Sequence, residues 1–101
     1  MELAPLDRLS VINSLPREGK FEDLIIFKDI TKKVEFTQKE IIDWEIRTDD
    51  TGAILWNDKA KSIKVEFTDA EKVLIKSTFK NLSDEGKMKT FMIDLYQALI
   101  K

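Results

Sequence analysis

The segment Lys-Val-Glu-Phe-Thr occurs twice in this chain, at 33–37 and at 64–68. Each copy has a Glu three residues beyond its Thr, Glu40 in the first and Glu71 in the second. An alternating stretch that runs into Thr-x-x-Glu is the signature of a helix start. The Thr hydroxyl accepts from the amide three residues on, and the Glu carboxylate accepts from the Thr amide. The chain is therefore predicted to begin helices at Gln38 and at Asp69. In the first copy Phe36 and Ile41 stand at the positions of a hydrophobic staple, whereas the second copy has Lys72 in place of the Ile. The copies are 31 residues apart and their flanks diverge, so two units of one local solution are expected rather than a repeat array, which needs three or more.

The rest of the chain reads around these two starts. Pro5 suits a first helical turn, and Leu6, Leu9, Ile12 and Leu15 recur at helical spacing up to Pro16, which predicts a short helix with one apolar stripe. From Phe21 to Val34 the apolar positions 21, 24, 25, 27, 30 and 34 also fit a helix, although Leu24 to Phe27 alone would suit a buried strand. The first capping box opens a helix from Gln38 to about Glu45. Arg47-Thr48, the turn residues Asp49 to Gly52, and Ala53 to Trp56 then predict a hairpin, with Trp44 and Trp56 approaching each other across it. Ser62 to Phe67 alternates as a half-buried strand. A helix follows from Asp69 to Leu82, and after Ser83 to Gly86 a last helix runs from about Met88 to Ile100.

These elements make a single α+β domain over residues 1–101. A small antiparallel sheet, the hairpin plus one strand, packs on about five helices, with Phe36, Ile41, Trp44, Trp56, Val65 and Phe67 in or near the core. Three helices followed by a hairpin is also the element order of a winged helix over the N-terminal two thirds. A chain of 101 residues reaches a sizeable core without a metal or disulfide.

Composition removes most catalytic chemistry. There is no His and no Cys, so Ser-His and Cys-His pairs and the usual zinc ligand sets are excluded, as is any disulfide framework. The three glycines are scattered and form no phosphate-cradling loop. Asp43, Glu45, Asp49, Asp50 and Asp58 surround the hairpin, but their spacing matches no calcium loop, and a solvated acidic rim is expected. A metal-dependent nuclease using Asp49 or Asp50 is the enzyme hypothesis, ranked third. No catalytic residue, cofactor or metal site is predicted, and the chain is read as non-enzymatic. There is neither a long apolar run nor a basic, apolar N-terminal leader, so a soluble, cytoplasmic protein is expected.

Two surfaces stand out as candidates for binding. On the last helix, Met88, Phe91, Met92, Leu95 and Leu99 already supply one apolar stripe. Ile93, Tyr96 and Ile100 widen it, so Met92, Ile93, Tyr96 and Ile100 are the expected partner face. Residues 1–58 carry eight basic against thirteen acidic side chains (−5), and residues 59–101 nine against six (+3), a polarity that allows a homodimer. Lys72, Lys76 and Lys80, four apart, with Lys87 and Lys89 beyond them, form a basic stripe that would track phosphates. A nucleic-acid-binding module is the alternative function.

Leu15 to Gly19, Phe36 to Ile41, Ile54 to Asn57 and the Ala60-Lys61 pair together resemble a set of small accessory proteins of tailed phages and prophages that have no known activity. The resemblance runs up to Thr68. It implies a protein of an infected bacterial cytoplasm that binds a host or phage protein, and it carries over no functional residue.

Overall fold

The computed structural model describes residues 1–100. Its elements in order are β1 (Glu2–Leu3), α1 (Pro5–Ser14), α2 (Phe21–Val34), α3 (Gln38–Asp43), β2 (Arg47–Thr48), β3 (Ile54–Leu55), β4 (Ile63–Lys64), α4 (Asp69–Asp84), a 3₁₀ turn (Thr90–Met92) and α5 (Ile93–Ile100). The fold is α+β, as the sequence predicts, and the helices dominate it. Leu3, Val11, Phe27, Ile30, Val34, Val65, Phe67, Ile75, Phe79, Leu95 and Leu99 form one core, to which every helix except α3 contributes.

Both capping boxes are closed. Thr37 Oγ1 accepts from the Glu40 amide at 3.1 Å and Glu40 Oε1 from the Thr37 amide at 2.9 Å; the corresponding distances at Thr68 and Glu71 are 3.1 and 2.8 Å. Each cap of this kind contributes about 1 kcal/mol. The helices also stop for local reasons. At the end of α3 the Ile46 amide donates to Ile41 O and the Glu45 amide to Ile42 O, a Schellman arrangement that places Glu45 at φ 51. At the end of α4 the Lys87 and Gly86 amides make the same pair of bonds to Leu82 O and Ser83 O. Here the residue at positive φ is a glycine, which adopts it without strain.

The sheet differs from expectation. The hairpin closes as β2 with β3, Arg47 opposite Leu55 and Thr48 opposite Ile54, but β4 does not join it. β4 pairs with β1, Glu2 opposite Lys64 and Leu3 opposite Ile63, in a separate two-stranded sheet. After β3 the chain is pulled away when the Asn57 amide donates to Trp44 O at 2.9 Å. The other backbone groups near β4 are taken by Met1, which exchanges two hydrogen bonds with Val65. Leu3, completely buried, anchors that pairing.

Three core expectations also need correction. Trp44, Val65 and Phe67 are buried, but Phe36 and Trp56 are only half-buried, and Ile41 remains at the surface. Trp44 does not meet Trp56: its ring stands edge-on to Phe36, with centroids 6.3 Å apart. On α1 the buried face is Pro5, Arg8, Ser10 and Val11, rotated from the expected stripe: Ile12 and Leu15 still pack half-buried against the core, but Leu6 is 40% exposed.

Candidate functional site

Arg8 is the reason for that rotation. Only 1% exposed, its guanidinium uses four hydrogen bonds: Nε to Val34 O (2.9 Å), Nη2 to Glu35 O (2.8 Å), and Nη1 and Nη2 to the two carboxylate oxygens of Glu40 (2.9 and 2.7 Å). It also lies over the Phe36 ring, 4.2 Å from the centroid. The second copy of the repeat uses the same arrangement with a different cation. Lys33 Nζ donates to Glu66 O at 2.9 Å and to Glu71 Oε1 at 2.6 Å, at the positions equivalent to Glu35 and Glu40. In each copy one cation therefore ties the strand-like approach to the capping Glu. Among the described residues no buried side-chain nitrogen or oxygen lacks a partner. These charges hold the structure together and are fully engaged within it.

With Arg8 turned inward, the Leu6 and Leu9 side of α1 becomes the wall of a cleft of about 610 Å³. Leu6, Leu9, Ser10, Asn13 and Ser14 form this wall. Gly52, Ala53, Ile54 and Trp56 of the hairpin face it, and Leu82, Lys87, Lys89, Phe91 and Met92 close the third side. Ile54 and Phe91, at 39 and 46% exposure, share the apolar opening with Leu6. The volume lies in the range of small-molecule and anchor pockets. The Ser10 and Ser14 hydroxyls donate to Leu6 O and Ser10 O within α1, so neither is held by a base. Among the described residues the only ionisable groups in the lining are the ammonium groups of Lys87 and Lys89. Such a cleft can hold an apolar group and attract an anion at its edge.

The structure separates the residues expected to form the partner face on the last helix. Met92 is buried and lines the cleft from inside, because the chain enters α5 through the 3₁₀ turn rather than as one continuous helix from Met88. Tyr96 is half-buried with its ring 6.2 Å from that of Phe79, and only Ile93 and Ile100 remain exposed. The lysine stripe is divided too. Lys72 is exposed and Lys76 half-buried. Lys80 is paired with Asp84 at 3.0 Å, which raises its pKa above the ordinary value. Lys87 is 3.5 Å from Glu85 and, with Lys89, belongs to the cleft.

The acidic rim is exposed, and within it the Asp49 carboxylate is occupied by the hairpin turn. Asp49 Oδ1 accepts from the Thr51 hydroxyl (2.6 Å) and from the Thr51 and Ala53 amides (2.9 and 3.0 Å). These bonds, the hydroxyl first, hold its carboxyl below the usual range. Among the described residues no group of three or more acidic side chains is placed to hold a metal ion. No described helix is long and apolar enough to cross a membrane. Comparison with protein-family models, curated proteins and solved structures finds no match.

Proposed function

We propose that this chain is a non-enzymatic binding protein whose cleft takes an apolar segment of a protein partner flanked by acidic residues. The carrying observation is the convergence of Leu6, Ile54 and Phe91 on one opening that has Lys87 and Lys89 at its edge. Apolar anchors entering a pocket supply most of the affinity at an interface, and charge complementarity at the rim supplies orientation and encounter rate. The setting implied by the phage and prophage resemblance, a bacterial cytoplasm with a host or phage protein as partner, belongs to the same proposal. A second copy of the chain is the competing occupant, and light scattering distinguishes it from the 11.8 kDa monomer.

Selection from a random peptide library on the immobilised protein tests the reading. Peptides with clustered apolar anchors and neighbouring Asp or Glu are expected. Their affinity should fall by about thirtyfold or more in Phe91→Glu, the ratio that a contact of about 2 kcal/mol represents. Peptides without acidic residues, or binding unaffected by both Phe91→Glu and Leu6→Glu, would refute it. A dimer that the same substitutions dissociate would assign the cleft to self-association instead.

A further inference from the structure

A second hollow of about 520 Å³ lies between α3 and the loop that joins β3 to β4. Trp44 and Ile63 line it together with the side chains of Lys39, Lys59 and Lys61, all three exposed. No described carboxylate lies within ion-pairing distance of these three lysines, whereas Lys80 and Lys87 are paired. Two carboxylates also line the hollow. Glu40 has both oxygens bound to Arg8, so its charge is neutralised from behind; Asp43 in the lining opposes the lysines, and outside it the Glu45 carboxylate accepts from Asn57 Nδ2 at 3.1 Å.

The loop carrying two of these lysines is fixed in place. Asn57 donates from its amide to Trp44 O (2.9 Å) and from Nδ2 to Asp43 O (3.1 Å), and its Oδ1 accepts from the Lys59 amide (3.0 Å). A further bond from the Ala60 amide to Asn57 O, at 3.3 Å, closes the turn. The backbone at Lys59 is thereby tied to the C-terminal end of α3, while Lys39 projects from its first turn. The backbones of Lys39 and Lys59 are held at one depression by α3 and the Asn57 turn, Lys61 follows directly on that turn, and all three side chains are exposed. This favours an extended polyanion over a single desolvated phosphate, for which buried donors would be needed.

We propose that this hollow binds the phosphodiester backbone of a nucleic acid. Recognition is electrostatic and independent of base sequence, since Trp44 is buried and offers no face for stacking. The site is distinct from the α4 stripe and from the cleft, sharing no residue with either.

The test is titration of two fluorescein-labelled probes, single-stranded oligothymidylate and a mixed-sequence duplex, over a series of salt concentrations. At least one probe should bind, with a log-log salt slope of roughly 2 to 3, the value for about three phosphate contacts. The triple variant Lys39→Gln, Lys59→Gln, Lys61→Gln should lose binding and most of that slope. The corresponding Arg variant should retain both, and Lys72→Gln, Lys76→Gln, Lys80→Gln should leave both unchanged. Circular dichroism checks that each variant is folded. Failure of the wild type to bind either probe, or loss that follows the α4 lysines instead, would overturn the proposal. Peptide capture by the cleft should be unchanged in the Lys39, Lys59, Lys61 variant, so the two sites fail independently.

Discussion

Replacing Arg8 by Ala is expected to lower the stability of the fold by about 3–5 kcal/mol, the range seen when one member of a buried ion pair is removed. The substitution leaves Val34 O, Glu35 O and Glu40 Oε2 without their donor, leaves Glu40 Oε1 with the Thr37 amide alone, and empties the space over Phe36. Arg8→Lys should recover little, because a single ammonium cannot reproduce the planar fork that meets four acceptors. Glu40→Ala should be at least as harmful as a cap deletion, since it opens the capping box and also strands a guanidinium in the core. Urea denaturation at neutral pH measures all three. A loss below about 1 kcal/mol in Arg8→Ala would mean that the acceptors find other partners and that Arg8 is not what orients α1.

The same pair makes stability depend on acid. The Arg8 hydrogen bond is the largest influence on the Glu40 carboxyl and, with the Thr37 amide, outweighs burial, so its pKa lies below the ordinary 4.5. For Glu71 burial is the largest influence and pushes upward. The Lys33 hydrogen bond and the Thr68 amide together overcome it, and the net direction is again downward. A depressed folded pKa means that the unfolded chain binds the proton more readily. The stabilisation is then complete above the ordinary value and is lost as pH falls through the folded pKa. Melting temperature should therefore be level near neutrality and drop below about pH 4.5, and Glu40→Gln should show a shallower drop from a lower plateau. An equal acid slope in the variant would remove Glu40 from the account.

What the sequence made legible follows from how local each signal is. The capping boxes, Pro5, Pro16 and Gly86 act within a few residues of themselves: the bounds of α1 and the starts of α3 and α4 lie where those residues put them, α4 stops just before Gly86, and α2 follows its apolar spacing. The partner of β4 was hidden because β1 is two residues long, too short for any alternation to show. Arg8 was hidden for a different reason. A charged residue between Leu6 and Leu9 reads as the wet side of a helix. Only the carbonyls of Val34 and Glu35 and the carboxylate of Glu40, 26 to 32 positions away, make its burial favourable. The cleft was invisible for the same reason, since it exists because α1 turns Arg8 inward and sets exposed Leu6 and half-buried Leu9 in its wall. Lys39, Lys59 and Lys61 converge only through the bonds of Asn57 to the end of α3, and no run of basic residues announces them.

Phe79→Ala is the second substitution expected to cost about 3–5 kcal/mol, as large aromatic deletions in packed cores do. Phe79 is 1% exposed on the inner face of α4, and its ring meets Tyr96 at 6.2 Å between centroids. α5 has eight residues, too few to hold a helix in water alone, so it depends on what Leu95 and Leu99 bury against the core around Phe79. The cavity should therefore loosen α5 first, and amide exchange from 93 to 100 should accelerate more than exchange in α2. Met92, which precedes α5 and lines the cleft, would shift with it, so peptide capture should weaken although Met92 itself is unchanged. Ile93→Ala and Ile100→Ala, by contrast, remove exposed side chains and should stay within about 0.5 kcal/mol of the parent. Were those two to destabilise the isolated chain as much as Phe79→Ala, α5 would be packed through its outer face, against a second copy, and the homodimer would take precedence over the open cleft.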